Sequence, residues 1–368
     1  MLGLEPSIHT APINSSGIDP RLNAEDDGAW GWFSNQTHRL MAEPPRHTES
    51  VARMIALVLR RFLGLLFTLL IVSLLIFAVM DLLPGDPASI MLGTSTSLET
   101  LSALRHELGL DQPLILRYGR WLAGVMSGNL GQSYTYGVPV AGLIAERLSV
   151  TLPLALMAIM LSVAIALPLG VLAASRRGSI FAVIATLFSQ ISIALPAFWV
   201  ALLLIILFST MLGLMPAGGF PGWNEGFLPA LQALVMPAVA LAMPQAGVLT
   251  RVARSAVLET MHEDFARTAM AKGLSSSAVL WRHIVPNALI PILTMIGLQF
   301  TFLVAGAVLV ENVFNLPGLG RLALQALSQR DIIVMQDVVL FFAALVIVMN
   351  FIVDLSYLAI DPRMRKAV

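Results

Sequence analysis

EDFARTAMAKGLSSSAVLWRHIVPNALIP, residues 263–291, is a polar, helix-prone stretch inside a chain that is 57% hydrophobic and only 12% charged. Soluble domains usually carry about 25% charged residues, and the mean hydropathy here is +0.82. Between Arg251 and Pro286 stand eight charged residues: Arg251, Arg254, Glu259, Glu263, Asp264, Arg267, Lys272 and Arg282. Each would cost on the order of 2.5–3.5 kcal/mol at a bilayer centre, over roughly 20 kcal/mol together. This stretch therefore lies outside the membrane, and its apolar flanks cross it.

A hydrocarbon core of roughly 30 Å takes about 20 apolar residues per helical span. Working outward from the polar stretch, six such spans emerge: 58–80, 151–174, 181–208 with Pro196 inside it, 229–249, 287–310 and 338–360. The fold class is an all-α polytopic membrane protein with six transmembrane helices. With the N-terminus inside, the inner flanks hold thirteen Lys and Arg and the outer segments six. That asymmetry, with the even span count, puts both termini in the cytoplasm. Three outer segments result, 81–150, 209–228 and 311–337. Leucines at helical spacing in LETLSALRHELGLDQPLILRYGRWLAGVM predict one or two amphipathic helices over the outer mouth. Residues 1–50 have no sustained period and no apolar signal-peptide core. They read as a disordered cytoplasmic extension, 1–53, ahead of a membrane domain 54–368 that opens on MIALVLRRFLGLL.

The polar stretch is built for order. No Gly or Pro interrupts Ser255 to Lys272, and Val257, Met261 and Phe265 fall four apart as one apolar stripe. Gly273 stands where a helix end favours a left-handed residue. Ser275, Ser276 and Ser277 offer N-caps for a second short helix, AVLWRHIV, closed by Pro286. Helix, glycine hinge and helix make a stiff element that suits docking into a partner's groove.

Several chemistries are excluded. There is no cysteine, so no thiolate site or disulfide. Neither lysine, Lys272 or Lys366, follows glycine as a P-loop requires, so ATP and magnesium would belong to other chains. His262-Glu263 lacks the second histidine of a zinc-protease motif, since residue 266 is Ala. No metal, no catalytic residue and no nucleic-acid partner is expected. Asp81, Glu311 and Asp354, at span ends, read as structural anchors, while Gln190, Gln299 and Asn350 are the candidates for lining a substrate pathway.

Ala269, Gly273 and Pro286 fit the cytoplasmic EAA loop of ABC-importer permeases, with Arg267, Thr268, His283 and Val285 at its Glu, Ala, Ile and Leu positions. RRFLGLLFTLLIVSLLIFAVMDLLPGDPA (60–88), LGLDQPLILRYGRWL (108–122), GNLGQSY (128–134), ERLSVTLPLAL (146–156), RTAMAKGL (267–274), ENVFNLPGLGRL (311–322) and DPRMR (361–365) narrow the likeness. The chain from about 54 to 366 resembles the dipeptide/oligopeptide/nickel branch of those permeases, in which Arg-Thr-Ala often replaces Glu-Ala-Ala. The resemblance implies the type I importer permease fold, with 255–286 as coupling loop. It implies a translocation subunit for peptides or a related small solute in the bacterial inner membrane. Expected partners are a sister permease forming a heterodimer, two ABC ATPase subunits, an extracytoplasmic solute-binding protein and membrane lipid. Asp264, Phe265, Arg267, Thr268, Ala269, Lys272, Gly273 and Pro286 would couple to the ATPase. Pro317, Gly318, Gly320 and Arg321 would meet the binding protein. A stand-alone secondary transporter or channel, an intramembrane enzyme and a scaffold are the rival classes; the capped inner element separates the first reading from all three.

Overall fold

The computed structural model describes residues 47–82, 87–92, 97–107 and 109–360. The expected extension lies outside them up to residue 46, as do residues 83–86 and the DPRMR segment. Helix α1, His47–Leu82, takes in the last part of that extension, 47–53. The chain divides at Ile55, and the packing below belongs to the unit from Ala56 onward.

After α1 come α2 (Pro87–Leu92), α3 (Leu98–Glu107), α4 (Leu114–Ser127) and α5 (Val140–Ser175). Next are α6 (Ile180–Ala194) and α7 (Ala197–Leu204), the latter running into a π-helical turn at Ile205–Met211. The long α8 (Phe227–Thr260) leads to α9 (Asp264–Ala271) and α10 (Ser276–Val279). A second π turn, Leu280–Ile284, joins α10 to α11 (Val285–Val313), and α12 (Leu319–Gln329) and α13 (Ile332–Ile360) follow. Five stretches are long and apolar enough to cross a membrane: Ile55–Leu82, Val140–Ser175, Phe227–Thr260, Ser276–Val313 and Ile332–Ser356.

The remaining candidate, α6 with α7, is bent by 101°. Pro196 causes the bend: it has no N–H to offer the preceding turn, and it forces Leu195 into extended geometry, φ −91° and ψ 120°. The sequence places Pro196 inside one span; the structure has a corner there. Whether the cornered pair still crosses follows from its neighbours. Trp223 Nε1, just before α8, donates to Ser149 O near the start of α5 at 2.9 Å. At the other end, Gly170 of α5 packs against Ala253 and the Thr250 carbonyl of α8. The two helices are parallel, so the chain between them must return across the membrane, and α6–α7 is that crossing. α11 and α13 run opposite ways, with Gly297 against Val353. α1 opposes α13 through Arg61–Asp354 at one end and Ile76, Met80 and Leu340 at the other. The start of the first span, the end of the last and the α8–α11 connection thus share one face.

Length carries the functional element out of the bilayer. α8, with 34 residues, is about 51 Å long at 1.5 Å per residue, well beyond a core of about 30 Å. The 38-residue helix from Ser276 and the 36-residue α5 overhang in the same way. Leu154, Leu234, Leu241, Leu303, Ala307 and Phe314 join α5, α8 and α11 in the central core. The outer spans are looser: 17% of the apolar window of α1 and of α13 is buried, against 44% for α5 and α8. α4 supplies the expected amphipathic helix. Tyr118 and Trp121 pack on Phe77 of α1 with ring centroids 5.4 and 5.8 Å away, while Ile115 and Met126 are exposed.

The natural absence of cysteine makes the topology easy to test. Single variants Arg177→Cys and Lys272→Cys should react with a membrane-impermeant maleimide from one face and Glu225→Cys from the other. Labelling of Glu225→Cys and Arg177→Cys from the same face would make the α6–α7 corner a re-entrant loop.

Candidate coupling site

The overhanging end of α8 stops at Thr260, and side chains there bond its last carbonyls. Thr260 Oγ1 donates to Ala256 O at 2.8 Å, and His262 Nδ1 lies 2.6 Å from Leu258 O. Since a carbonyl only accepts, Nδ1 carries the proton and Nε2 is left to accept from Arg177 Nη2 at 3.5 Å. Glu263 is extended, at ψ 150°, and α9 starts afresh. The stripe Val257–Met261–Phe265 expected from sequence is therefore split between two helices. Val257 is buried in the bundle and Phe265 is exposed. The sequence period runs straight through a break marked by capping side chains, not Gly or Pro.

What seats α9 is a pair of alanines one turn apart. Ala266 and Ala269 are buried in one apolar cluster with Val171, Ala174, Ala253, Ala256, Val257, Val279, Ile284, Ala288 and Ile292. Their methyl-sized side chains let α9 share that cluster with the ends of α5, α8 and α11. Ala269 thus holds the element from beneath, while Asp264, Phe265, Arg267, Thr268, Lys272, Gly273 and Pro286 are exposed. Thr268 Oγ1 donates to Asp264 O at 2.9 Å. Asp264 and Arg267, 3.8 Å apart and open to water, form a weak pair.

Gly273 has φ +84°, and no atom lies within 4 Å of where a side-chain methyl would stand. Its requirement is backbone conformation, not space. Its N–H bonds Met270 O at 2.9 Å, closing α9 as the sequence predicts. Ser275 Oγ accepts from Ala278 N at 3.3 Å and opens α10. Beyond it, Pro286 does not end a short helix, contrary to the sequence reading. The π turn at Leu280–Ile284 absorbs the missing proline donor and passes the chain directly into α11. Asn287 Nδ2 takes the carbonyl of His283 at 2.7 Å. Four apolar side chains stand out from this base: Phe265, Met270, Leu274 and Trp281, exposed by 37, 47, 40 and 57%. Sequence reasoning names only Phe265; the others share no helical period, because the αL glycine and the π turn reset the register between them.

At the opposite face a carboxylate organises the chain. Glu311, fully buried at the end of α11, accepts Thr151 Oγ1 at 2.7 Å, Gly320 N at 2.8 Å and Arg321 N at 3.2 Å. Thr151 Oγ1 also accepts from Leu319 N at 2.8 Å. The carboxylate caps the first turn of α12 from outside it. A methyl on Gly320 would lie 2.5 Å from Val308 Cα, which explains the glycine. Of the residues expected to meet the binding protein, Gly318 and Gly320 are buried around Glu311, and Pro317 and Arg321 are half-buried. Asp81 pairs with Arg117 at 2.6 Å and Asp354 with Arg61 at 2.9 Å, so all three span-end acids are anchors.

Two anchors escape the sequence reading. Asp331, buried ahead of α13, accepts from Ser133 Oγ, from Thr135 N at 3.1 Å and from Val334 N at 3.3 Å. Asp337, also buried, accepts Trp121 Nε1 at 2.9 Å. Together they tie 133–135 and α4 to the last span. The pathway candidates stand on three helices: Gln299 is buried in α11, Asn350 is exposed on α13, and Gln190 lines a small cavity between α6 and α8.

Residues 166–366 match the family described as binding-protein-dependent transport system inner membrane component, and residues 54–155 match the N-terminal model of that description. A putative peptide transport system permease protein of Brucella abortus (strain 2308) is 42% identical over 312 residues, covering 85% of this chain and 99% of the relative. A glutathione transport system permease protein of Salmonella paratyphi A is 39% identical over 312 residues, with the same coverage. A solved structure of the MetNI methionine ABC transporter aligns with TM-score 0.50 at 20% identity, over 60% of this chain and 96% of that one, and shows the same fold.

Removing the buried anchor should cost far more than removing an exposed one. Glu311→Ala leaves two amides and a hydroxyl unpaired, about 3 kcal/mol or more. Asp354→Ala breaks a pair whose side chains are 25% and 49% exposed, worth at most about 1 kcal/mol. Thermal unfolding in detergent should rank them so; equal shifts would count against the clamp. The matched models and relatives cover both halves of the membrane domain, and the chain belongs to the inner-membrane permease components of binding-protein-dependent ABC importers.

Proposed function

We propose that this chain is the translocating subunit of an ATP-driven importer of peptides or a closely related solute, in the bacterial inner membrane. The face bearing α9 is the cytoplasmic one, as the Lys and Arg asymmetry supports, and both termini lie there. ATP and magnesium are bound by two separate ATPase subunits. A sister permease completes a heterodimer, and an extracytoplasmic solute-binding protein delivers solute to the opposite face.

One observation carries the reading. α9 is joined through Ala266 and Ala269 to an apolar cluster that also holds the ends of three spans, while Phe265, Met270, Leu274 and Trp281 are exposed. Shifting a two-state equilibrium from 1:99 to 99:1 needs about 5.5 kcal/mol of differential free energy. A helix packed on α5, α8 and α11 passes a push to all three at once, whereas a slack loop would dissipate it. ATP-driven closure of the ATPase pair would draw α9 inward and tilt the bundle between its two access states. Around the clasp, Asp264, Arg267, Thr268 and Lys272 supply the polar rim that orients docking, Gly273 the turn, and Pro286 the register of the following helix. The names of relatives at 38–42% identity support the peptide class of solute.

The test is assembly with the partner ATPase. Phe265→Asp and Trp281→Asp should each weaken its capture by about tenfold or more, the scale of an interface hot spot, with unfolding temperature unchanged. Gly273→Pro, which removes the N–H bonded to Met270 O, should leave membrane insertion intact and abolish solute-stimulated ATP hydrolysis. Solute uptake by liposomes holding this chain alone would overturn the reading.

A further inference from the structure

On the coupling face, α6 and α8 run antiparallel and leave a cavity of about 70 Å³ between them, lined by Thr186, Ser189, Gln190, Thr250, Arg251 and Arg254. That is several times the ~10–15 Å³ a single water needs, and enough for a tetrahedral oxyanion. Arg254 Nη1 donates to Thr186 Oγ1 at 3.2 Å, and Thr186 in turn donates to Ala182 O at 2.7 Å. Arg254 Nε is buried with no partner. Ser189 and Thr250 spend their protons on the Gly247 and Ala246 carbonyls, both at 2.7 Å. The donors left to the cavity are therefore the two guanidiniums and the Gln190 amide.

Neither Arg251 nor Arg254 has a carboxylate within 4 Å among the described residues, whereas Arg61, Arg117 and Arg267 each have one. Two more guanidiniums at this boundary are equally without an acid: Arg176 stacks over Phe181 at 5.4 Å, and Arg177 meets His262. Arg251 and Arg254 come immediately after the apolar run 229–249, at the level where hydrocarbon gives way to headgroups. Unneutralised cations flanked by apolar helix faces call for an anion.

We propose that this groove binds the phosphate of an anionic phospholipid in the leaflet next to the coupling site. A guanidinium fork fits phosphate oxygens in pairs, and basic pockets between spans on such a face recruit anionic headgroups. Lipid is favoured over soluble phosphate by what adjoins the groove. Val183, Ile184, Leu187 and Ile191, on the next face of α6, are all exposed and apolar, a bed for the acyl chains of a molecule whose headgroup sits at Arg254. Because Arg254 stands on the same overhang that carries α9, lipid composition would bear on the stiffness of the coupling end.

Native mass spectrometry of the full chain in mild detergent tests this directly, with dioleoyl phosphatidylglycerol and dioleoyl phosphatidylcholine as probes. The anionic phosphatidylglycerol should be retained about tenfold more tightly than the zwitterionic phosphatidylcholine. Arg251→Gln and Arg254→Gln should each lose about fivefold of that preference, and Thr186→Val, which unties Arg254, should lose part of it. Arg177→Gln, off the groove, should keep it. Should Arg254→Gln fail to fold, Arg251→Gln and Thr186→Val decide. Equal retention of both lipids, or wild-type preference in Arg251→Gln and Thr186→Val, overturns the proposal. Displacement of the lipid by excess inorganic phosphate makes the occupant a soluble anion and overturns the lipid assignment.

Discussion

The close approach of α5 to α8 governs the architecture. A methyl on Gly170 would sit 2.6 Å from Ala253 Cβ and 2.9 Å from the Thr250 carbonyl, so the two backbones nearly touch. Between helices in lipid there is no hydrophobic drive, and small residues that let backbones meet take its place. From this contact the remaining geometry follows. Parallel α5 and α8 oblige the cornered α6–α7 pair to cross. Their aligned overhangs form a platform of alanines and valines beyond the bilayer, and α9 rests on that platform. The groove beside it opens where α6 lies against the same helix.

Polar anchors hold this frame at both faces, and Glu311 and Asp331 differ from the more exposed pairs in their partners. Where water reaches, as at Arg61–Asp354, simple ion pairs tie neighbouring spans. Where it does not, as at Glu311 and Asp331, the carboxylate is met by hydroxyl and backbone N–H donors, because a buried charge needs several donors to offset its lost hydration. The buried sites hold irregular loops in fixed shape; the exposed ones only guide helices together.

Much of this is legible in the sequence. The spans, the left-handed Gly273 and the Ser275 cap all follow from bilayer thickness and backbone sterics, which act locally. What the sequence hides is set by contacts between distant segments. The inward side of α9 is defined by Ala266 and Ala269, residues too bland to mark a face until their partners on α5 and α11 are seen. Asp331 and Asp337 look like ordinary loop acids, yet Ser133 and Trp121, about two hundred positions away, bury them. Nothing in PGLGR itself shows that its glycines make room for a carboxylate; only the position of Glu311 reveals it. Pro286 suggests a helix end, and a π turn rescues continuity there.

The donors around Glu311 also impose an order on biogenesis. A chain synthesised from its N-terminus delivers Thr151 first, then the acid, and only afterwards the amides of Gly320 and Arg321. The fifth crossing is therefore inserted with its terminal carboxylate only partly satisfied, and it can settle to its final depth only after the succeeding loop has emerged and folded back. The clamp around Glu311 is thus completed from the C-terminal side.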